Sequence, residues 1–393
     1  MNNIIWQEKL GGWLTCWILP AGLFILLTGM LWAKDVSLYH RFFYLLVVLP
    51  ALILFIIDRG LRQRVFHSPV CQVFIVFACY VILSVAWSDS PDTVGALVKR
   101  PFFVLMLLVA GLQLGYWQPD LLVTVSRLAA YCAVAVGAYT LADFMLSSPA
   151  GARLAGLGVL HNPLSSSHVY GFFLVQWIAF WILSRRLFSP IPILAVTVLG
   201  AVILATGSRT PLLALGMTVV WLAVLTGGRR GLGVIAVLLS GLVLLAVFFP
   251  ETLTQRGFSY RPQIWQVMLG YISENLWFGH GYNSTLEIRI DGVEEVFSDP
   301  HNITLSVLYE TGVIGFVGWL TLYGVALFGC WKQRWKPLVF ISAATLFYGL
   351  IAGMTEGGSF LSRPKEHWFI IWIPFLFYVA ASTRLGVDNK SVV

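Results

Sequence analysis

Three stretches of the 393-residue sequence carry side chains suited to handling an anionic substrate. In TGSRTP, residues 206–211, Thr210 can cap a following helix and Pro211 suits its first turn. Arg209 then stands at a helix N-terminus, where a guanidinium, backbone N–H groups and the positive end of the helix dipole together attract phosphate. The plainer alternative is an arginine reaching to lipid headgroups. Arg256, Arg261 and Trp265 form a second group. Arg261 and Trp265 lie four apart on one helical face, so the guanidinium could take a phosphate while the indole floors a lipid or sugar. Interfacial anchors use the same residue types. The third stretch, SDPHNITLSVLYETGVIGF, spans 298–316. Asp299 reads as an N-cap and Pro300 as a first-turn residue, which puts His301 in the first turn of a span. There the helix end favours a neutral imidazole able to accept a proton. Glu310 follows about two and a half turns deeper, where an acid is costly and normally paired or functional. A boundary histidine bonded to lipid is the structural alternative.

The elements that must position these residues are membrane helices. The composition is 58% hydrophobic and 11% charged, with a mean hydropathy of +0.82. Soluble domains carry about 25% charged residues, so most of this chain has no aqueous surface to cover. Windows of about 20 apolar residues place spans near 12–32, 40–57, 70–87, 101–117, 121–145, 167–184, 190–207, 211–227, 231–250, 302–330, 337–355 and 367–383. The sequence therefore predicts an all-α polytopic membrane protein, one domain over 1–393 with about twelve spans. The five cysteines are scattered in apolar stretches and read as small packing residues.

Charge distribution orients the bundle. One set of short connections holds Arg59, Arg62, Arg64, Arg185, Arg186, Arg229, Arg230, Lys332, Arg334 and Lys336, and the tail adds Arg384 and Lys390. By the positive-inside rule this face, with both termini, is cytoplasmic. The opposite face carries most carboxylates, together with Lys99, Arg100, Arg153, Arg209, Arg256, Arg261, Arg363 and Lys365. Basic residues on the disfavoured side need another reason to be there, and an anionic ligand is the simplest. The connection 251–301 far exceeds the usual few residues between helices. Within it, Ile264, Trp265, Met268, Leu269, Ile272 and Leu276 recur at helical spacing after Pro262 and predict an amphipathic helix on the outer interface. His161, His168 and the segment Arg363–His367 could line the same outer cavity or merely cap spans. No nucleotide loop, zinc motif, catalytic serine triad or nucleic-acid stripe appears, and no cofactor is expected.

Taken in order, Ser208-Arg209, Arg261…Trp265, the GHGYNS turn at 279–284 with Tyr282, and His301-Asn302 followed by Glu310-Thr311-Gly312 resemble the bacterial O-antigen ligase family. The resemblance covers most of the chain. It implies a GT-C-like glycosyltransferase of the inner membrane, with its active site on the periplasmic side. Such an enzyme moves a glycan from undecaprenyl pyrophosphate to the lipid A–core oligosaccharide. Arg209 and Arg261 would then hold the pyrophosphate and His301 would activate the acceptor hydroxyl. Arg256, Trp265, Lys99, Arg100, Arg153, His161, Tyr282, Asn302, Glu310 and Arg363 are the accompanying substrate-binding candidates. Two guanidiniums can replace a divalent ion, so metal independence and an inverting single displacement are expected. An O-antigen polymerase or a protein O-oligosaccharyltransferase would use the same donor. A lipid-linked glycan transporter would instead need charges along a path through the bilayer, whereas these crowd one boundary.

The orientation is tested by reporter fusions. Fusions after Arg230 and Arg334 are expected to read cytoplasmic and fusions within 282–298 periplasmic. A cytoplasmic signal from 282–298 would overturn the orientation.

Overall fold

The computed structural model describes residues 2–149, 151–184, 189–227 and 260–383, with scattered helical positions between 233 and 241. Eight helices are long and apolar enough to cross a membrane: Trp6–Leu31, Val36–Ile57, Pro69–Trp87, Val94–Trp117, Pro119–Ser147, Pro163–Ser184, Arg209–Thr226 and Ile303–Lys332. Three shorter apolar helices, Pro190–Ala205, Pro337–Gly353 and Trp372–Ser382, complete the bundle. They match eleven of the twelve expected spans; the remaining one, 231–250, falls largely outside the described residues. Among the described residues, β-structure is limited to one isolated bridge, Ile288–Phe297. The fold is an all-helical polytopic membrane protein.

Hydrophobic burial alone cannot bring helices together in lipid, so close backbone approach matters more. Helix Trp372–Ser382 is buried along nearly its whole length and packs against Val94–Trp117 and Pro337–Gly353. Glycines permit this. A Cβ on Gly115 would lie 2.1 Å from the Ala380 carbonyl oxygen, and one on Gly349 only 1.7 Å from that of Ile370.

The connections that follow alternate spans meet at one end of the bundle. Val159 N–H donates to Met30 O at 3.1 Å, and Leu154 N–H to Ala205 O at 3.0 Å. The Ser88 hydroxyl donates to Tyr282 O at 2.8 Å. The segment between helices Pro337–Gly353 and His367–Ile370 is irregular. Its carbonyls are nonetheless taken up by side chains from four directions. Trp372 donates to Phe360 O at 2.8 Å, Tyr282 to Leu361 O at 2.9 Å, Trp368 to Ser362 O at 3.3 Å and His40 to Pro364 O at 2.9 Å. Non-helical backbone at membrane depth is tolerated only where its polar groups are satisfied in this way.

The long connection departs from expectation in two respects. Helix Arg261–Glu274 forms where the apolar spacing placed it. Its buried face, Ile264, Met268 and Ile272, does not lie on lipid. It packs a small separate core with Ile288 and Tyr309, flanked by Leu286, Phe297, Leu305 and Leu308. The apolar surface left outward is Leu269, Leu276, Trp277 and Phe278, 43–63% exposed.

The second departure is a break in helix Ile303–Lys332 at Gly312, where φ is 60° and ψ −168°. That conformation is essentially restricted to glycine. The 275–281 segment docks there edge-on, with Val313 N–H donating to Leu276 O at 2.8 Å and His280 N–H to Tyr309 O at 2.9 Å. A continuous 30-residue helix would be roughly 45 Å long, well beyond a hydrocarbon core of about 30 Å. The portion after Gly312 is by itself long enough to span. Glu310 therefore sits at the break, not deep in a span as the uninterrupted pattern suggested. Its Oε2 accepts from Asn283 N–H at 2.6 Å.

Gly312→Ala is expected to lower the melting temperature in detergent by several degrees. The conformation disfavours any side chain, and the added carbon would meet the Trp277 backbone at 2.4 Å. Gly324→Ala, with open space around it, is expected to leave the midpoint unchanged. Equal behaviour of the two variants would remove the structural role assigned to the break.

Candidate active site

Arg209 opens helix Arg209–Thr226, so its N-terminal placement is as expected, but the cap differs. Ser208 is the N-cap residue. Thr210, expected to cap, instead turns its hydroxyl to Glu356 Oε1 at 3.0 Å. The turn before Arg209 is fixed by Arg153, whose Nε donates to Thr206 O at 2.8 Å and whose Nη2 donates to Ser208 Oγ at 3.1 Å. Arg153 thus supports the Arg209 turn through contacts within the protein.

Arg261 begins helix Arg261–Glu274 and pairs through Nη2 with Glu356 Oε1. The carboxylate side chain is 2% exposed and the guanidinium 28%. Burial pushes the Glu356 carboxyl above its usual range. Arg261, the Thr210 hydroxyl and His301 oppose that shift. Trp265 lies one turn on, and its indole donates to Pro300 O at 3.0 Å. It ties this helix to the turn that holds His301, so its polar edge serves the scaffold.

His301 lies just outside the next helix, where Asn302 is the N-cap and its Oδ1 accepts from Leu305 N–H at 3.0 Å. The expected cap, Asp299, accepts from His301 N–H at 2.7 Å instead. This correction has a backbone cause: His301 adopts φ 49°. A left-handed non-glycine residue costs about 1–3 kcal/mol and persists where the surroundings over-determine it. The imidazole Nδ1 is 3.8 Å from Glu356 Oε2 and 3.9 Å from Asp299 Oδ1. Glu356 Oε2 is buried and, among the described residues, accepts no hydrogen bond.

Thr210, Arg261 and His301 therefore meet at one carboxylate that sequence reasoning missed, with Arg209 the chain neighbour of Thr210. Glu356 follows a short apolar helix and is the only acid between Glu310 and Glu366. An isolated acid at the edge of a span was the available signal. Its partners, 55 or more positions upstream, were not readable from spacing.

Other expected binding residues are committed to structure. Arg100 pairs with Asp92 and donates to Asn283 Oδ1 at 2.8 Å. Tyr282 is 2% exposed and donates its hydroxyl to Leu361 O. Asn302 is spent on capping. Lys99, His161 and Arg363 are exposed, and no contact draws them to Glu356. Arg256 lies outside the described residues. His168 is fully buried with its ring 5.8 Å from that of His367. Among the described residues, no group of three or more His, Cys, Asp or Glu side chains is arranged to hold a metal ion.

The fold and site together are those of a polytopic helical membrane protein with Arg261, His301 and the start of helix Arg209–Thr226 grouped around a buried glutamate. Residues 193–320, which include Arg209, Arg261 and His301, match the O-antigen ligase family profile. The chain is also 41% identical over 382 residues to the O-antigen ligase of Pseudomonas aeruginosa, covering 95% of each protein. The chain belongs to the O-antigen ligase family, a glycosyl-transferring class.

The pair can be tested by a double-mutant cycle on Arg261→Ala and Glu356→Ala. Each single change leaves one partly buried charge without its partner, so each is expected to cost about 2 kcal/mol, reduced from the fully buried case by the exposure of Arg261. The double variant is expected to lose clearly less than the sum. Ionising a carboxyl whose pKa is raised costs stability as pH climbs from the ordinary glutamate range to the raised value. Glu356→Gln is expected to lose that slope. Additive losses with an unchanged slope would show that the pair is not coupled.

Proposed function

We propose that this chain is an O-antigen ligase of lipopolysaccharide biosynthesis, with its site on the periplasmic side of the inner membrane. The donor is a glycan on undecaprenyl pyrophosphate, and the acceptor is the lipid A–core oligosaccharide. The observation that carries the reading is the meeting of Arg261, His301 and Thr210, the neighbour of Arg209, at Glu356, in a chain whose family relationship spans nearly its full length.

The chemistry follows from charge. Pyrophosphate is already a good leaving group, so the main requirement is stabilisation of the charge that grows on it as the glycosidic bond breaks. A guanidinium about 4 Å from a phosphate oxygen contributes about 4 kcal/mol at an effective dielectric near 20. Two of them replace a divalent cation, which makes the transfer metal-independent. Five N–H donors let one guanidinium bridge a carboxylate and a phosphate at once.

His301 acts as general base. The two carboxylates on its Nδ1 side favour a proton there, so Nε2 is the nitrogen that takes the acceptor hydroxyl proton. Glu356 is a positioning residue that holds Arg261 and lies 3.8 Å from His301 Nδ1. The acceptor oxygen attacks the anomeric carbon opposite the departing pyrophosphate, and a single displacement inverts that centre.

Purified protein mixed with lipid-linked glycan and lipid A–core tests the reading by scoring a ligated product. Arg209→Ala and Arg261→Ala are each expected to lose about 100-fold or more in turnover, with only partial rescue by lysine. His301→Ala is expected to lose about 100- to 10,000-fold, with donor binding intact. Activity is expected to survive excess chelator. A well-inserted His301→Ala protein that ligates at a near-normal rate would end the general-base assignment. Loss with EDTA that magnesium restores would end metal independence.

A further inference from the structure

A cavity of about 360 Å³ opens between the end of span Pro69–Trp87 and the 275–284 segment and is used by none of the chemistry above. Its walls include Trp87, Asp89, Asn275, His280, Ser284 and Tyr309. The volume lies within the range of small-ligand pockets, which combine apolar and aromatic surface with a few placed polar groups. Trp87 is 40% exposed. Edge-type contacts with Tyr80 and Phe278, both with centroids at 6.4 Å, fix its plane.

Asp89 is exposed but immobilised. Thr285 donates to it through its backbone N–H at 2.8 Å and also through its hydroxyl. Those bonds hold the carboxyl below its usual range, and each carboxylate oxygen keeps further acceptor capacity. The opposite wall is equally ordered. His280 Nε2 donates to Tyr271 O at 2.8 Å, which leaves Nδ1 as acceptor for the Asn275 amide at 3.3 Å. The ring stacks on Tyr309 at 4.4 Å.

An exposed indole beside a fixed carboxylate and an amide suits a ring with an apolar C–H face and hydroxyls at its edge. The ionised Asp89 repels phosphate, so the pyrophosphate is excluded. Trp277 and Phe278 nearby are exposed and apolar, which suits a site at the membrane interface. Tyr309 stands roughly 10 Å of helical rise from Asn302, close enough for one glycan to reach both this cavity and His301. We propose that the cavity is a subsite for an uncharged sugar residue of a glycan substrate, with Trp87 stacking on the ring and Asp89 and Asn275 taking its hydroxyls. The inference rests on the glycosyl-transfer reading, and it concerns how that reaction holds its substrate away from the bond that changes.

Two measurements on the purified full-length protein test it. Saturation-transfer NMR with free core oligosaccharide, and separately with the free O-glycan, reports binding without turnover. The wild type is expected to bind one of them, and which one distinguishes acceptor from donor. Trp87→Ala and Asp89→Asn are expected to lose that signal, and Trp87→Phe to keep part of it. In the ligation assay the first two variants are expected to raise KM for the same substrate about tenfold, which corresponds to about 1.4 kcal/mol, while kcat stays within about twofold. A protein that ligates but binds neither oligosaccharide, or variants that bind and turn over as the wild type does, would overturn the subsite. A wild type that binds oligosaccharide but ligates nothing would support the subsite and overturn the transfer reading.

Discussion

The site depends on one buried carboxylate. Glu356 is almost sealed from solvent, and an isolated ionised acid there would cost several kcal/mol. Its charge is tolerable because Arg261 reaches it from the long connection and Thr210 donates to it from the start of another helix. Three segments far apart in sequence are thus held together by the need to compensate one negative charge. The same need fixes the start of the helix that Arg209 opens, since Thr210 is its immediate neighbour. Positions that look like independent anion anchors along the chain are physically one assembly.

Most of the fold was legible because lipid imposes a simple code. Apolar length located eleven described helices, and the Pro262 start with its helical spacing located Arg261–Glu274. What apolar length cannot express is an interruption that preserves hydrophobicity. The residues around Gly312 are apolar on both sides, so the run 302–330 reads as one span. The break comes from backbone pairing with 275–281, a tertiary event. The environment of Arg261–Glu274 was misjudged for a related reason. An amphipathic stripe shows that one face is covered, but lipid and a folded loop leave the same pattern.

Within the site, residue type was informative and local geometry was not. Arg209, Arg261 and His301 stood out as basic groups in apolar surroundings, and Arg261 and His301 both lie at Glu356. The assignment of caps failed at both helix starts because Ser208, Asp299 and Asn302 offer near-equivalent side chains. The winner is decided by backbone angles such as the left-handed His301. Arg100, Arg153 and Tyr282 each bond within the scaffold: Arg153 holds the turn before Arg209, Tyr282 the segment after Glu356 and Arg100 the turn at Asn283. Glu356 was visible only as an isolated acid, because its partners are set by folding and not by spacing.

The pinned carbonyls of the segment carrying Glu356 bear on how this family can vary in length. Phe360, Leu361, Ser362 and Pro364 are each bonded by an aromatic or imidazole donor from a different element. One inserted or deleted residue would shift all of them out of register and move Glu356 with them. The loop from Asp291 to Glu295, enclosed by the Ile288–Phe297 bridge, is largely exposed and carries no comparable set of bonds. Insertions and deletions among related chains should therefore accumulate there and be absent from 355–366, so that length itself records which connection carries the chemistry.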